Sequence, residues 1–484
     1  MSEAPAGHVP EVARQNHWVT LALLTTAGIS FALMQTLVVP ALPFFQREFD
    51  TSATNVTWIA TGFLLSSSVL TPILGKLGDA HGKEKLLVIS LAIFGLASLG
   101  AALAWDLESL IFFRIVQGTG AAVFPLSFGI IRDEFPPERV GVGIGTVSSV
   151  FGAGGGVGLV LSGVILEHLE WHWLFLVGGI PVLISAALIA KFVPESPIKT
   201  PARPDYRGAA TLSVGLLALL LGVSQGNTWG WTSPGVLGLF VLAIAVLAFW
   251  VRLEGRTPEP LIDIATLRRR GMALTNLTTF LIAFGMFASF ILLPNFVQVP
   301  TGLPAAVADQ LAYGFGATPV EVGLFFVPSS VAMIIAGPIA GALGARYGPE
   351  LPLRLGVGLV ACGLALFALA HEERWMFYIW MTILGIGIAC SFAALGSLVI
   401  ANSNPDETGV ATGINTIMRT IGGAFGAQVA ATIISANTLR NTEIPLERGF
   451  TIAFAMSACV ALIALLPALA LVAPRRRPAP AAAG

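Results

Sequence analysis

The chain has 484 residues, of which 55% are apolar and only 11% are charged, and its formal net charge is −1. Soluble domains carry roughly 25% charged residues, so this composition excludes an ordinary water-soluble protein. It also argues against a nucleic-acid partner, because neutralising phosphates requires a clustered basic face. The three cysteines, Cys362, Cys390 and Cys459, are too few and too scattered for a disulfide framework or a cysteine zinc site.

Fourteen apolar segments are each long enough to cross a membrane. A transmembrane helix needs about 20 mainly apolar residues, because the hydrocarbon core is roughly 30 Å thick and contains no water to bond the backbone. The first 17 residues lack the apolar core of a secretory signal, so we expect the first span to be retained. In chain order the predicted spans are 18–41, 54–75, 86–105, 109–131, 140–165, 172–193, 208–226, 234–252, 271–299, 318–342, 351–371, 374–402, 408–437 and 449–472.

Lysines and arginines are unevenly distributed between the two sides of this predicted bundle. Basic loops are retained in the cytoplasm. If both termini are cytoplasmic, most of the 26 basic residues fall on that side, and the outer loops hold only Arg47, Arg374, Arg440 and Arg448. We therefore expect a multi-pass protein of the cytoplasmic membrane with both termini in the cytoplasm.

Two glycine patterns recur in the two halves of the chain. Residues 75–82, at the end of the second span, match residues 341–348 at the end of the tenth span, 266 residues later. Five glycines of the fifth span match five glycines of the thirteenth at an offset of 268. Two matches at nearly one offset predict duplication of a six-span unit, with spans seven and eight inserted between the copies. Duplicated halves commonly hold a substrate site between them.

The expected fold is therefore an all-α integral membrane protein of about 14 transmembrane helices, arranged as two pseudo-symmetric six-helix bundles plus two inserted central helices. The predicted domains are a cytoplasmic N-terminal segment, an N-terminal six-helix bundle, a linker with two additional transmembrane helices, a C-terminal six-helix bundle and a cytoplasmic basic tail. They cover residues 1–17, 18–193, 194–270, 271–472 and 473–484, respectively.

Several motifs resemble those of the major facilitator superfamily. The stretch Gly75-Lys-Leu-Gly-Asp79-Ala-His-Gly82-Lys83-Glu-Lys85 resembles its signature loop between spans two and three. Phe113-Arg114-Ile-Val-Gln117-Gly118-Thr-Gly120 resembles the fourth-span motif of its drug:proton antiporter branch. Further antiporter-like segments are Trp171-His-Trp173-Leu-Phe175, Pro260-Leu-Ile-Asp263 and Thr318-Pro-Val-Glu321-Val-Gly323. With fourteen spans, the resemblance is to the fourteen-helix drug:proton antiporters of the multidrug efflux type.

Two positions depart from that family pattern. Met34 stands where an aspartate is common, and Leu159 replaces the proline of the fifth-span antiporter motif, whose glycines here are Gly154, Gly158 and Gly163. The resemblance implies a hinge or a seal against leak for these glycines, and close helix packing is the alternative. It also implies proton coupling, although no acidic residue lies at the centre of a predicted span to carry the proton.

The signature loop is predicted to act in conformational gating. The resemblance brings the Asp79 carboxylate to the amino-terminal end of span thirteen, near Glu407, where the helix dipole favours an anion. Lys83 is expected to pair with Asp133 or Glu134, and a solvated turn with ordinary surface charges is the alternative. The predicted gating residues are Gly75, Asp79, Gly82, Lys83, Arg132, Asp133, Glu134 and Glu407.

Two arginines, Arg114 and Arg419, lie more than one helical turn from either end of their predicted spans. A cation at the centre of a membrane helix costs about 2.5 to 3.5 kcal/mol on insertion scales, so both should face the protein interior. Arg114, Gln117 and Arg419 are the predicted proton-relay or substrate contacts. For Arg114 the alternative is a clamp on neighbouring carbonyls, and for Arg419 it is extension toward the cytoplasmic end of its helix.

The predicted substrate cavity combines aromatic surface with a few polar groups, as ligand sites usually do, and ordinary packing is the alternative for each residue. Its candidate residues are Phe31, Met34, Gln35, Trp58, Asn276, Phe284, Phe287, Asn295 and Asn415. His168 and His172 lie beside two tryptophans, which favours an interfacial aromatic belt over a metal site. No metal site is therefore predicted.

The predicted function is export of small amphipathic or drug-like molecules by alternating access, as a proton antiporter with no cofactor beyond the proton gradient. The expected partners are the small-molecule substrate and the lipid bilayer, with the monomer as the functional unit. Because the acid at Met34 is missing, neutral or anionic compounds become more plausible substrates. Alternatives are a dedicated, possibly uncoupled transporter of one metabolite or lipid, and a membrane enzyme or sensor, for which no catalytic cluster is visible.

Overall fold

The computed structural model describes residues 16–195, 205–300, 313–404, 407–439 and 444–471. Within these ranges the chain is helical, and its only β pairing is an isolated bridge between Thr438 and Pro445. Among the described residues, fourteen helices are long and apolar enough to cross a membrane. The predicted all-α membrane fold and its number of spans are confirmed. The basic tail 473–484, most of segment 1–17 and part of the linker lie outside the described residues.

We number the fourteen spanning helices in chain order. They are α1 His17–Thr36, α2 Trp58–His81, α3 Lys83–Ala102, α4 Leu107–Glu134, α5 Pro137–His168, α6 Trp173–Phe192, α7 Tyr206–Trp229, α8 Pro234–Glu254, α9 Arg270–Val297, α10 Pro319–Tyr347, α11 Glu350–Leu369, α12 Arg374–Asn402, α13 Thr408–Ala436 and α14 Glu447–Ala470. In the connections that the structure describes there are three short helices, Leu42–Glu48, Ala53–Val56 and Ile264–Arg268.

The first and fourth predicted spans are each interrupted in the structure. The first was predicted to reach residue 41, but α1 ends at Thr36. Pro40 has no N–H to donate to the Thr36 carbonyl, so the chain turns and restarts as the helix Leu42–Glu48. In α4, the residues Gly118–Ala122 form a 3₁₀ turn between two α-helical pieces. A side chain at Gly118 would collide with Ser66 of α2, so the glycine allows close contact there.

Helix contacts repeat between the first six and the last six spans. α1 packs on α5 and α6, as α9 packs on α13 and α14; α4 packs on α2 and α3, as α12 packs on α10 and α11. The last glycines of the repeated pattern, Gly82 and Gly348, have φ values of +118° and +94° in the turns after α2 and α10. A side chain is disfavoured at such angles, which explains glycine at both positions. These correspondences support the predicted duplication.

The two halves meet through two equivalent helix pairs, α5 with α10 and α2 with α13. A Cβ atom added to Gly341 of α10 would collide with the backbone oxygen of Gly141 in α5. At the other end of the same pair, a Cβ atom on Gly323 would lie 2.5 Å from Val160 Cα. α5 and α10 therefore remain in backbone contact along most of their length. We call the end of the bundle that holds Gly141 and Gly341 the basic end.

The α2–α13 pair is close only near the basic end. A Cβ atom on Gly75 would lie 2.5 Å from the backbone oxygen of Gly409, and one on Gly413 would lie 3.0 Å from Pro72 Cα. Farther along, α7 packs on both α2 and α13 and lies across the seam between them. α8 packs on α7 and is the least buried of the fourteen spans.

The glycine contact between α5 and α10 gives a first prediction. Gly341→Ala should separate the basic ends of these helices, because the new methyl group meets the Gly141 backbone and overpacking typically costs about 1 to 3 kcal/mol. The measurement is the distance between spin labels at exposed Glu138 and Arg346 in a variant lacking the three native cysteines.

The matched control is Gly358→Ala, because a Cβ atom at Gly358 has no neighbour within 4 Å. The distance distribution of the control should match that of the parent protein. An unchanged distribution for Gly341→Ala would show that this contact does not hold the basic end closed.

Candidate functional site

A buried charged cluster connects the two halves at the basic end. The Asp79 carboxylate, only 3% exposed, accepts hydrogen bonds from the backbone N–H groups of Gly409 and Val410, each at 3.2 Å. These N–H groups belong to the first turn of α13, where they have no partner within the helix and the dipole favours an anion. The carboxylate of one half thus caps a helix of the other half.

Lys83 completes this cluster from the start of α3. Its Nζ lies 2.8 Å from the Asp133 carboxylate and 3.7 Å from that of Asp79, and the side chain is 1% exposed. Of the two partners expected for Lys83, the structure pairs it with Asp133. Glu134 instead accepts a hydrogen bond from Thr20 of α1 at 3.5 Å.

Arg132 adds a second contact between the halves. Its guanidinium donates to the Asn404 carbonyl oxygen at 3.3 Å and to the hydroxyl of Thr408. Glu407 precedes α13 and accepts a hydrogen bond from the Asn404 side chain at 3.0 Å. The predicted gating residues are therefore brought together, and the basic end is closed by backbone packing and by these polar contacts.

Glu195 is a member of this region that sequence reasoning missed. Its carboxylate accepts hydrogen bonds from the backbone N–H groups of Glu84 and Lys85, both at 3.3 Å, in the first turn of α3. An acid that caps a helix distant in sequence leaves no local pattern. The only available signal was an isolated glutamate just after the end of the sixth span.

Arg114 is fully buried and joins three helices of the first half. Its Nε donates to the Ile59 carbonyl oxygen at 3.0 Å, and one Nη donates to the Met34 carbonyl oxygen at 3.3 Å and to the Gln117 side chain at 2.7 Å. The ring of Phe63 lies 4.2 Å from the guanidinium carbon. The geometry matches the alternative of a clamp between α1, α2 and α4, and the relay role stays a prediction.

A cavity of about 180 Å³ lies between the two halves and is lined by α1, α2, α4, α7, α9 and α13. It sits beside the part of the α2–α13 seam that α7 covers. Three phenylalanines and a set of polar or charged side chains contribute much of the cavity wall. They are Phe31, Phe124, Phe287, Gln35, Thr61, Ser67, Thr71, Ser224, Thr416, Arg419, Thr420 and Gln428.

Arg419 projects from α13 into the wall of this cavity and is 8% exposed. Its guanidinium carbon lies 5.2 Å from the ring centre of Phe124 in the first half and 5.5 Å from that of Phe392 in α12. Aromatic faces stabilise a cation at such distances. This position is compatible with the predicted substrate contact. It does not match the alternative, in which Arg419 would extend toward the cytoplasmic end of its helix.

Four of the predicted site residues line the cavity: Phe31, Gln35, Phe287 and Arg419. The other predicted cavity residues lie elsewhere. Asn415 donates to Asn276 at 3.0 Å and to Thr279 at 2.7 Å, which links α13 to α9.

The remaining four cavity candidates also have packing positions. Met34 is fully buried beside Gly178 of α6, and Trp58 packs against an apolar cluster formed by α2, α7 and α13. Phe284 is buried, with its backbone against Gly426 of α13. Asn295 is exposed and bonds to the carbonyl of its own helix. A helical position alone could not separate cavity-facing from buried residues.

The antiporter-motif glycines lie where α5 crosses α1. A side chain at Gly154 would meet Ala32, and one at Gly158 would meet Thr36. The hydroxyl of Thr36 donates to the Gly154 carbonyl oxygen at 3.2 Å, and Gly163 is buried. Close packing accounts for this arrangement, and the hinge or seal role stays a prediction.

Comparison with known proteins now identifies the family. The protein-family model of the Major Facilitator Superfamily matches the sequence over residues 24–427 and, in a second match, over residues 301–484. The chain belongs to the Major Facilitator Superfamily. It is accordingly a membrane transporter and not an enzyme.

Several relatives within the superfamily are similar over most of their length. The chain is 28% identical to the tetracenomycin C resistance and export protein of Streptomyces glaucescens, covering 90% of this chain and 79% of the relative. It is 30% identical to the multidrug resistance protein B homolog of Mycobacterium tuberculosis, covering 86% and 77%. It is 29% identical to the lincomycin resistance protein of Streptomyces lincolnensis, covering 97% and 95%.

A solved structure shares the superfamily fold. The crystal structure of the human organic anion transporter MFSD10 superposes with a TM-score of 0.65, covering 93% of this chain and 99% of that chain. Its sequence identity to this chain is 14%, so the match concerns the fold alone.

In this superfamily member, one side of α13 contributes much of the cavity wall. The lining positions Thr416, Arg419, Thr420, Gly423, Ala424, Ala427 and Gln428 follow the three- and four-residue spacing of one helix face. This face of small and polar residues was visible in the sequence and was missed. Lining by Leu220 and Ser224 of the inserted helix α7 had no such signal, because an insertion is expected to lie at the periphery.

The Asp79 contact gives a second prediction. Asp79→Asn removes the charge at the α13 amino terminus, a contact worth about 1 to 2 kcal/mol in partly buried geometry. We expect a roughly five- to thirtyfold shift in the population ratio away from the state closed at the basic end. Distances between spin labels at His81 and Arg268 would measure it. Glu138→Gln, an exposed acid at the same end, is the control and should leave the distribution unchanged.

The Arg114 network gives a third prediction. Arg114→Lys keeps the charge but cannot reach all three acceptors, so we expect a lower melting temperature in detergent, equivalent to about 1 to 3 kcal/mol. The control is Arg47→Lys, where the parent side chain is exposed and bonds only within its own short helix. Lost transport at an unchanged melting temperature would favour the relay role over the clamp.

Proposed function

We propose that this protein exports small amphipathic or drug-like molecules across the cytoplasmic membrane by alternating access, with the proton gradient as its energy source. The main support is the cavity between two related halves, combined with closure at the basic end through Asp79 and α13. A transporter that alternates needs a central site and a seal that can break on one side. Three relatives, named as resistance or export proteins, support the same function.

The basic end corresponds to the cytoplasmic side in this proposal. Lys83, Arg132, Arg139 and Arg346 lie near this end, and basic segments are retained in the cytoplasm. A cavity closed toward the cytoplasm and lined by the α2–α13 seam corresponds to a state that releases substrate outward. Return to the loading state requires the contacts of Asp79 and Arg132 with α13 to break.

Proton coupling in this proposal involves the acids of the basic-end cluster. No aspartate or glutamate occurs among the described residues that line the cavity, whereas Asp79, Asp133 and Glu134 lie at the contact that must open. A proton on Asp79 would cancel the charge that α13 stabilises and would favour opening. Coupling through the seal differs from direct competition between proton and substrate for one carboxylate.

Transport into inside-out membrane vesicles tests the proposed function and is our fourth prediction. With an acidic lumen, vesicles containing the protein should accumulate several chemically different fluorescent amphipathic compounds, because protons flowing out through the protein drive the compounds in. A protonophore should abolish the accumulation. Vesicles without the protein are the control.

Each other result has a distinct meaning. Uptake that is independent of the proton gradient would contradict proton antiport and would indicate an uncoupled transporter. Gradient-driven uptake of a single compound would replace multidrug export with dedicated export, the alternative that the name of the tetracenomycin C relative suggests. No uptake of any compound would contradict the proposal as a whole.

A further inference from the structure

The charged side chain in the wall of the central cavity limits which classes of substrate can bind there favourably. Among the described residues that line it, Arg419 is the only charged one, and the other polar groups are amides and hydroxyls. An arginine side chain remains charged at any pH relevant to a cell. Arg419 therefore places a positive charge in the cavity wall.

The position of Arg419 suits a ligand. The rings of Phe124 and Phe392, at 5.2 and 5.5 Å, hold the guanidinium beside the cavity from helices of both halves. A guanidinium presents five N–H donors in a planar fork, which matches the two oxygens of a carboxylate. It also has no capacity to accept a hydrogen bond, so it favours an acceptor on the ligand over a donor.

The arrangement differs from that of Arg114, another buried arginine within a spanning helix. Arg114 is fully buried, and its donors are directed at two backbone carbonyls and Gln117, away from the cavity. Arg419 is in the cavity wall and is reached from the space that a substrate would occupy. Of these two arginines, Arg419 is therefore the one whose position in the cavity wall suits contact with a ligand.

The remaining lining fits an aromatic body attached to an acidic group. Phe31 and Phe124 lie 5.8 Å apart in the wall contributed by the first half, and Phe287 faces the cavity from the second half. Aromatic side chains provide large apolar contact surfaces with defined geometry. A cationic ligand would meet the same aromatic surface but would be repelled by Arg419, and no lining carboxylate among the described residues would compensate.

We infer that the cavity selects amphipathic aromatic anions, with Arg419 binding a carboxylate or a comparably acidic oxygen of the ligand and the phenylalanines binding its rings. The inference rests on the proposed export function and specifies its substrate class. The recognition of charge is a property of binding. It is therefore testable without transport.

The experiment measures equilibrium binding of three matched probes to the purified full-length protein by isothermal titration calorimetry. The probes are 2-naphthylacetate, its neutral amide 2-naphthylacetamide, and the cationic 2-(2-naphthyl)ethylamine, which share one ring system. Wild-type protein should bind the carboxylate at least about tenfold more tightly than the amide, and the amine most weakly. This ranking requires no variant. Binding of the amine or amide as tight as that of the carboxylate, or binding of none of the three, would overturn the inference.

Variants at Arg419 then assign the preference to this residue. Arg419→Gln should remove the difference between carboxylate and amide, and Arg419→Lys should retain the preference in weaker form because the charge remains without the planar fork. Melting temperatures establish that the variants are folded. A full carboxylate preference in folded Arg419→Gln would contradict the assignment.

The result is separable from that of the vesicle experiment. If anion selectivity is present but uptake ignores the proton gradient, the proposed coupling fails and the inferred substrate class stands. If gradient-driven uptake occurs with no preference for anions in binding, the export function stands and the inferred substrate class fails.

Discussion

The association of the two halves depends on close contact between helix backbones. In a bilayer, lipid tails are as apolar as leucine side chains, so apolar burial contributes little to holding helices together. Small residues compensate by letting backbones approach, as at Gly141 with Gly341 and at Gly75 with Gly409. The two pairs occupy equivalent places in the repeat. Their backbone contacts at the basic end leave the other part of the α2–α13 seam free to form a cavity.

Directional polar contacts between helices occur at the basic end and around Arg114 in the first half, where they add to the glycine packing. Asp79 and Arg132 bond across the halves to the start of α13 and its preceding turn, so directional polar contacts add to the backbone packing at the basic end. Within the first half, Arg114 ties three helices together through backbone carbonyls. One kind of side chain thus serves as an internal clamp at Arg114 and as part of a cavity wall at Arg419. The two differ in position, because Arg114 is fully buried among helices of the first half and Arg419 lines the cavity.

One of the two inserted helices, α7, forms part of the cavity wall. α7 contributes Leu220 and Ser224 to the wall, and Ser224 lies 3.4 Å from the Thr61 hydroxyl of α2. About one turn farther along the same end of α7, Asn227 donates to the Gln428 side chain of α13 at 2.8 Å. α7 therefore bridges both sides of the seam, and five of the twelve repeated helices, α1, α2, α4, α9 and α13, line the rest of the cavity. The insertion is a part of the cavity wall.

Sequence by itself determined the membrane class, the fourteen spans, the repeat and the superfamily, because hydrocarbon thickness fixes helix length and glycine contacts recur with the duplication. It also identified the Asp79 cluster through the signature loop. Only the tertiary structure decided which embedded residues meet the cavity, since residues on apolar helices are exposed or buried by neighbours that lie hundreds of positions away. Met34 and Asn415 proved to be packed or bonded to other helices, whereas Thr420 and Gln428 face the cavity. Periodicity defines a helix face, but which neighbour covers that face depends on how the two halves are placed together.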